Sequence, residues 1–85
     1  VNGSGGVKNT AVGSQSLGGG QVSGANNTAL GYRSGFNASS GGNNTFIGFE
    51  SGSNVTTGTF NTAIGNDALK SEDAVVEILQ LVVML

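Results

Sequence analysis

The sequence predicts an all-β chain: a parallel β-solenoid of about four coils of 17–18 residues over residues 1–69, then a short apolar helix or strand over residues 70–85. Three observations predict it. A five-residue word returns four times, glycine returns at fixed offsets around it, and the composition is rich in Gly, Asn, Ser and Thr but almost free of charge. Scattered, such a composition rarely offsets the entropy of ordering a chain; arranged in register, it builds repeated turns and ladders.

The word is Asn9-Thr10-Ala11-Val12-Gly13, Asn27-Thr28-Ala29-Leu30-Gly31, Asn44-Thr45-Phe46-Ile47-Gly48 and Asn61-Thr62-Ala63-Ile64-Gly65, with threonines 18, 17 and 17 residues apart. A short run with a β-branched or Leu residue two places after Thr, closed by Gly on both sides, reads as a strand. Gly6, Gly24, Gly41 and Gly58 lie four residues before each Thr, and Ser16, Ser34, Ser51 and Ala68 lie six after it, so whole units repeat. Gly and Asn accept left-handed backbone, and their recurrence marks turns at fixed places. The linkers Asn37-Ala38-Ser39-Ser40-Gly41 and Asn54-Val55-Thr56-Thr57-Gly58 share one shape, while the first linker carries an extra residue between Leu17 and Gly24.

Coils of this length, stacked ~4.8 Å apart, set identical side chains above one another. Asn9, Asn27, Asn44 and Asn61 form one ladder, and Thr10, Thr28, Thr45 and Thr62 a second. Each amide is expected to donate to the carbonyl of the next. Val12, Leu30, Ile47 and Ile64 are expected to stack as a thin apolar spine inside the coils. Such a narrow roll has little internal room, so Tyr32, Phe36, Phe46, Phe49 and Phe60 are expected on a lateral interface.

Composition narrows the function classes. A chain of 85 residues holds one domain at most, and without Cys or His it has neither disulfides nor the usual metal ligands to reinforce a small core, which leaves association. Charged residues make up 9% of the chain against the roughly 25% of ordinary soluble domains, and the three basic ones are widely spaced, so neither nucleic acid nor an anionic membrane is an expected partner. No N-terminal signal pattern is visible, and the apolar C-terminal run is too short to span a bilayer. Opening on Val1-Asn2-Gly3 without Met, the sequence is expected to be a fragment or a processed product.

No catalytic, cofactor or metal constellation is found, and the expectation is that the chain is not an enzyme. Glu50 and Asp67 fall on separate coils; a cross-coil ion pair of Arg33 with Glu50 is expected in preference to an acid–base pair. A calcium site needs a denser carboxylate cluster. Sequons at Asn2, Asn26, Asn37, Asn43 and Asn54 read mainly as by-products of the Asn ladder, and Gly18-Gly19-Gly20 lacks the Lys-Ser/Thr of a phosphate loop.

The repeated Asn-Thr-Ala-(Ile/Leu/Val)-Gly-x-x-Ser/Ala, from Gly6 to about Leu69, resembles the head repeats of trimeric autotransporter adhesins of the YadA type and related repeats of phage tail fibres and tail spikes. The units are longer than the shortest adhesin repeats and closer in spacing to the fibre proteins. The resemblance implies a left-handed parallel β-roll assembled from three parallel chains. It carries no catalytic residues and no fixed ligand-binding positions. It implies a structural protein on a virion tail or bacterial cell surface, spacing or presenting a part that meets a host receptor.

From Ser71 the composition changes: Ser71 to Leu85 contains neither Gly nor Asn. Ser71 is placed to cap a helix with Glu72 and Asp73 in its first turn, and Val75, Ile78, Val82 and Leu85 fall at coiled-coil spacing. Val75-Val76 and Val82-Val83 favour strand instead. Either way the segment is expected to drive assembly, into a closed homotrimer or, by adding a strand to a neighbour, into a filament. A further alternative, an ice-binding solenoid, would use the Thr ladder as its array.

Overall fold

The computed structural model describes residues 7–70 and the backbone of residues 79–80. Each copy of the repeated word becomes a three-residue strand: β1 is Thr10–Val12, β2 Thr28–Leu30, β3 Thr45–Ile47 and β4 Thr62–Ile64, and a two-residue strand β5 follows at Leu79–Gln80. The five lie side by side in chain order in one sheet, and every pairing is parallel. Among the described residues there is no helix.

The register follows the repeat. Thr10 faces Thr28, Thr28 faces Thr45 and Thr45 faces Thr62. Thr62 then faces Leu79, so β5 keeps the 17-residue spacing although its sequence has left the pattern. The helix alternative for the C-terminal segment therefore fails at Leu79 and Gln80. Val75, Ile78, Val82 and Leu85, expected as assembly residues, lie outside the described residues.

Successive units are bonded well beyond their strands. The Leu17 N–H donates to the Ser34 carbonyl at 3.0 Å, Gly35 to Ser51 at 2.9 Å and Gly52 to Ala68 at 2.7 Å; on the linker side Ser39 donates to Thr56 at 3.0 Å. The backbone repeats as strictly as the residues do. Left-handed φ values recur at Lys8, Asn26, Asn43 and Phe60, and again at Gln15, Arg33, Glu50 and Asp67. Only some of these positions carry the Asn or Gly that suits them, which explains why the sequence marked the turns incompletely. The glycines ending each strand have φ between 121° and 130°, a region closed to side chains, and a Cβ on Gly31 would stand 2.7 Å from the Gly48 carbonyl oxygen. At Gly24 a Cβ would overlap the Gly41 carbonyl oxygen, which fixes glycine where the linkers stack.

The interior is built from the middle residue of each strand and from the turns. Leu17, Val22, Ala29 and Ala38 form one buried cluster with Ala11 against it; Phe46, Val55, Ala63 and Ala68 form the next with Leu69 against it. This overturns two expectations. Val12 and Leu30, placed in an internal spine, are 55% and 45% exposed, and Ile47 and Ile64 are only half-buried. Alternation along the strand is the reason: with Ala29, Phe46 and Ala63 turned inward, residues on either side turn outward. Phe46, expected on a lateral interface, is fully buried. Its ring occupies space left by two glycines: a Cβ at Gly35 would lie 2.9 Å from the ring, and one at Gly52 would overlap it. The outer units invert the arrangement, with Ala11 and Ala63 in the strand and Leu17 and Leu69 at the turn positions equivalent to those glycines.

Candidate functional site

Two buried polar ladders fix the units in register. Asn27, Asn44 and Asn61 are fully or almost fully buried, and Asn9 is half-buried. In each of the first three units the side-chain amide clips the following unit by its backbone. Asn9 Nδ2 donates to the Gly24 carbonyl at 3.0 Å, Asn27 Nδ2 to Gly41 at 3.0 Å and Asn44 Nδ2 to Gly58 at 2.9 Å. The same amides accept at Oδ1 from the next asparagine's backbone N–H: Asn27 to Asn9 at 2.9 Å, Asn44 to Asn27 at 3.1 Å and Asn61 to Asn44 at 2.9 Å. The expected amide-to-amide contact occurs at one rung, Asn44 Nδ2 to Asn27 Oδ1 at 3.0 Å. Side chain to backbone is the main linkage because a planar amide facing a parallel strand meets both a donor and an acceptor of the next unit.

The serine column, visible in the sequence without a role, is the second ladder. Ser16, Ser34 and Ser51 are buried, and their hydroxyls donate to the Ala29, Phe46 and Ala63 carbonyls at 3.3, 3.0 and 2.8 Å. An exposed asparagine pair runs along the linkers, Asn37 Nδ2 to Asn54 Oδ1 at 2.7 Å and Asn54 Nδ2 to the Lys70 carbonyl at 2.8 Å.

At the end of the Asn ladder the pattern breaks. Asn61 is fully buried, yet among the described residues neither its Oδ1 nor its Nδ2 has a hydrogen-bond partner. The serine column ends at the same unit, where Ala68 takes the place of the hydroxyl.

The outward face of the sheet is uncharged. Thr10 and Thr28 are exposed and Thr45 and Thr62 half-buried, in a column parallel to Val12, Leu30, Ile47 and Ile64. Beside this face Tyr32 and Phe49 stack with ring centroids 5.4 Å apart and planes 18° from parallel, both exposed. Phe60 is 53% exposed, Phe36 half-buried.

The few charges sit on the turns. The expected Arg33–Glu50 pair is absent: Arg33 lies over the Phe36 ring, its Cζ 4.1 Å from the centroid, and Glu50 pairs with Lys70 at 2.7 Å. Lys70 is also 3.7 Å from Asp67. The reason is spacing along the turn column, where Lys70, one turn on from Asp67, reaches back to Glu50 while Phe36 offers Arg33 an apolar seat within its own unit. The hydrogen bond to Glu50, then the Asp67 charge, raises the Lys70 pKa above its ordinary 10.5. Among the described residues no cluster of three or more His, Cys, Asp or Glu could hold a metal ion, and no helix is long and apolar enough to cross a membrane.

Comparison with protein-family models, with curated proteins and with solved structures finds no match to this chain.

Proposed function

We propose that the chain is a β-solenoid segment of a homotrimeric fibre, with a mechanical rather than a catalytic role: it spaces or presents a receptor-binding part on a virion tail or a bacterial surface. One observation carries this reading. Parallel sheets are ordinarily covered on both faces, and here the outward face carries an exposed column of Val12 and Leu30, continued by Ile47 and Ile64, with no charge among them. Periodic ladders favour a partner with the same periodicity, which a second and third copy supply.

The five parallel strands in chain order, the repeated left-handed turn positions and the unit-to-unit hydrogen bonds outside the strands support the solenoid. The Asn-Thr-Ala-x-Gly word supports the adhesin-like and fibre-like reading, and through it the left-handed winding and threefold assembly. Sedimentation equilibrium or native mass spectrometry tests the proposal: a trimer is expected at micromolar concentration, and a stable, folded monomer refutes it. The exposed Thr10 and Thr28 lend support to an ice-binding alternative; thermal hysteresis in solutions of the purified chain would favour that reading, and the fibre reading expects none.

A further inference from the structure

Residues 75–85 break the repeat in composition, yet within them Leu79 and Gln80 pair with β4 one 17-residue period on. The fifth rung of each column would fall at position 75 for the linker glycine, 78 for the asparagine, 79 for the threonine, 82 for the strand-end glycine and 85 for the Ser/Ala column. Those positions hold Val75, Ile78, Leu79, Val82 and Leu85. The genetic code relates the two sets. When the third base of each codon is joined to the first two bases of the next, a codon choice that the degenerate code allows for Glu77 and Ile78 (GAA, ATA) would read AAT, asparagine, in the place of residue 78. Continuing with allowed codons, ATA and CTG for Ile78 and Leu79 would give ACT, threonine; CTG and CAA for Leu79 and Gln80 would give GCA, alanine; CAA and TTG for Gln80 and Leu81 would give ATT, isoleucine. Leu81 and Val82 (as TTG, GTA) then allow GGT, glycine, the two valines allow AGT, serine, Val83 and Met84 allow AAT, asparagine, and Met84 and Leu85 allow GCT, alanine.

The reading so allowed is Asn-Thr-Ala-Ile-Gly-Ser-Asn-Ala, beside Asn61-Thr62-Ala63-Ile64-Gly65-Asn66-Asp67-Ala68 of the fourth unit, and each residue would fall in the matching column. Upstream, Ala74 and Val75 allow GGT, glycine, at the linker column, and Val76 and Glu77 allow GGA, glycine, at the column where Lys8, Asn26, Asn43 and Phe60 take left-handed φ. An apolar segment chosen for a coiled coil or a docking strand has no reason to be compatible with the repeat, in register, one nucleotide out of frame.

We infer that the nucleic acid encoding this chain holds a fifth repeat unit in a displaced frame across residues 75–85, and that the end of the asparagine ladder at Asn61 is built to receive that unit. The structure supports the second half independently. Asn61 is buried with its amide unmet among the described residues, whereas Asn9, Asn27 and Asn44 each clip the unit that follows. Unit four keeps the asparagine that needs a successor, and β5 already stands in the successor's register. The inference holds whether or not the units serve in a fibre.

Two experiments decide it. Sequencing the coding nucleic acid across these residues should return GAA for Glu77, ATA for Ile78, CTG for Leu79 and TTG for Leu81; an ATT or ATC codon at Ile78, or a GAG codon at Glu77, destroys the Thr or Asn rung and overturns the inference. Separately, the full chain carrying Ile78→Asn, Leu79→Thr, Gln80→Ala, Leu81→Ile, Val82→Gly, Val83→Ser, Met84→Asn and Leu85→Ala should melt roughly 5 °C or more above the original chain. An unchanged or lower melting temperature overturns the assignment of that unit to the Asn61 end.

Discussion

Asn44 gives both faces of its amide to neighbouring units: Nδ2 to Gly58 and Asn27, Oδ1 to the Asn61 N–H. Truncation to Ala removes the acceptor of the buried Asn61 N–H and the amide donor to the Gly58 carbonyl, at about 1–3 kcal/mol each, so Asn44→Ala should lose roughly 2–6 kcal/mol, a large share of the 5–15 kcal/mol typical of whole domains. The exposed Asn54 makes hydrogen bonds of similar length, yet water replaces them at little cost, and Asn54→Ala should stay within ~1 kcal/mol. Urea unfolding of the two variants checks the contrast; equal losses would mean that burial does not set the strength of this ladder. The sequence identified the asparagines as a ladder because they recur in register. It could not show that their partners are mainly backbone groups, since a carbonyl such as that of Gly58 leaves no trace in residue type.

Within one unit, strand and turn exchange volume. Phe46 fills the interior because Gly35 and Gly52 leave it open, so Phe46→Ala should cost about 3–5 kcal/mol as a cavity. Gly52→Ala should also destabilise, through a clash with the ring and because φ is +62° there. The double variant tests the coupling: with the ring gone, the added methyl has room, and the combined loss should be smaller than the sum. This exchange was hidden in the sequence, where Phe46 stands in a column otherwise occupied by Ala11, Ala29 and Ala63 and reads as the odd member to be expelled. The strand's facing was hidden for a related reason. In Thr-Ala-Val the outer residues are the bulkier ones, so hydrophobic size pointed to Val12, Leu30, Ile47 and Ile64 as the core while alternation put the small alanines there. Strand positions and parallel register were legible because the Thr-to-Thr spacing is itself the pairing. At the turn, Lys70 gains Glu50 and Asp67 on folding, and its pKa is raised. The sign follows: the contribution is complete below the ordinary lysine value of 10.5 and is lost as pH rises through the raised folded value. The melting-temperature difference between the chain and Lys70→Met should therefore hold from neutral pH to near 10.5 and shrink above it; a difference that persists at higher pH would assign the effect to packing of the lysine stem.

For the molecule as a whole, the outward face separates folding from assembly. Leu30 is 45% exposed on that face, flanked across the sheet by Val12 and Ile47. A substitution there removes little buried area from the single chain, and surface changes of this kind ordinarily stay within about 0.5 kcal/mol. In a trimer packed through the aliphatic column the same position is desolvated, and a lysine would leave its charge buried against apolar partners, at a cost of several kcal/mol per site. If the chain assembles as proposed, Leu30→Lys should therefore shift it from trimer to monomer in sedimentation while leaving its far-ultraviolet circular dichroism unchanged. Tyr32→Lys, beside the face but stacked on Phe49, serves as the control for added charge and should leave the trimer in place. A Leu30→Lys chain that remains trimeric, with Tyr32→Lys dissociating instead, would move the interface from the aliphatic column to the aromatic stack and leave the fibre reading standing; loss of folded structure in Leu30→Lys would show that the aliphatic column supports the single chain.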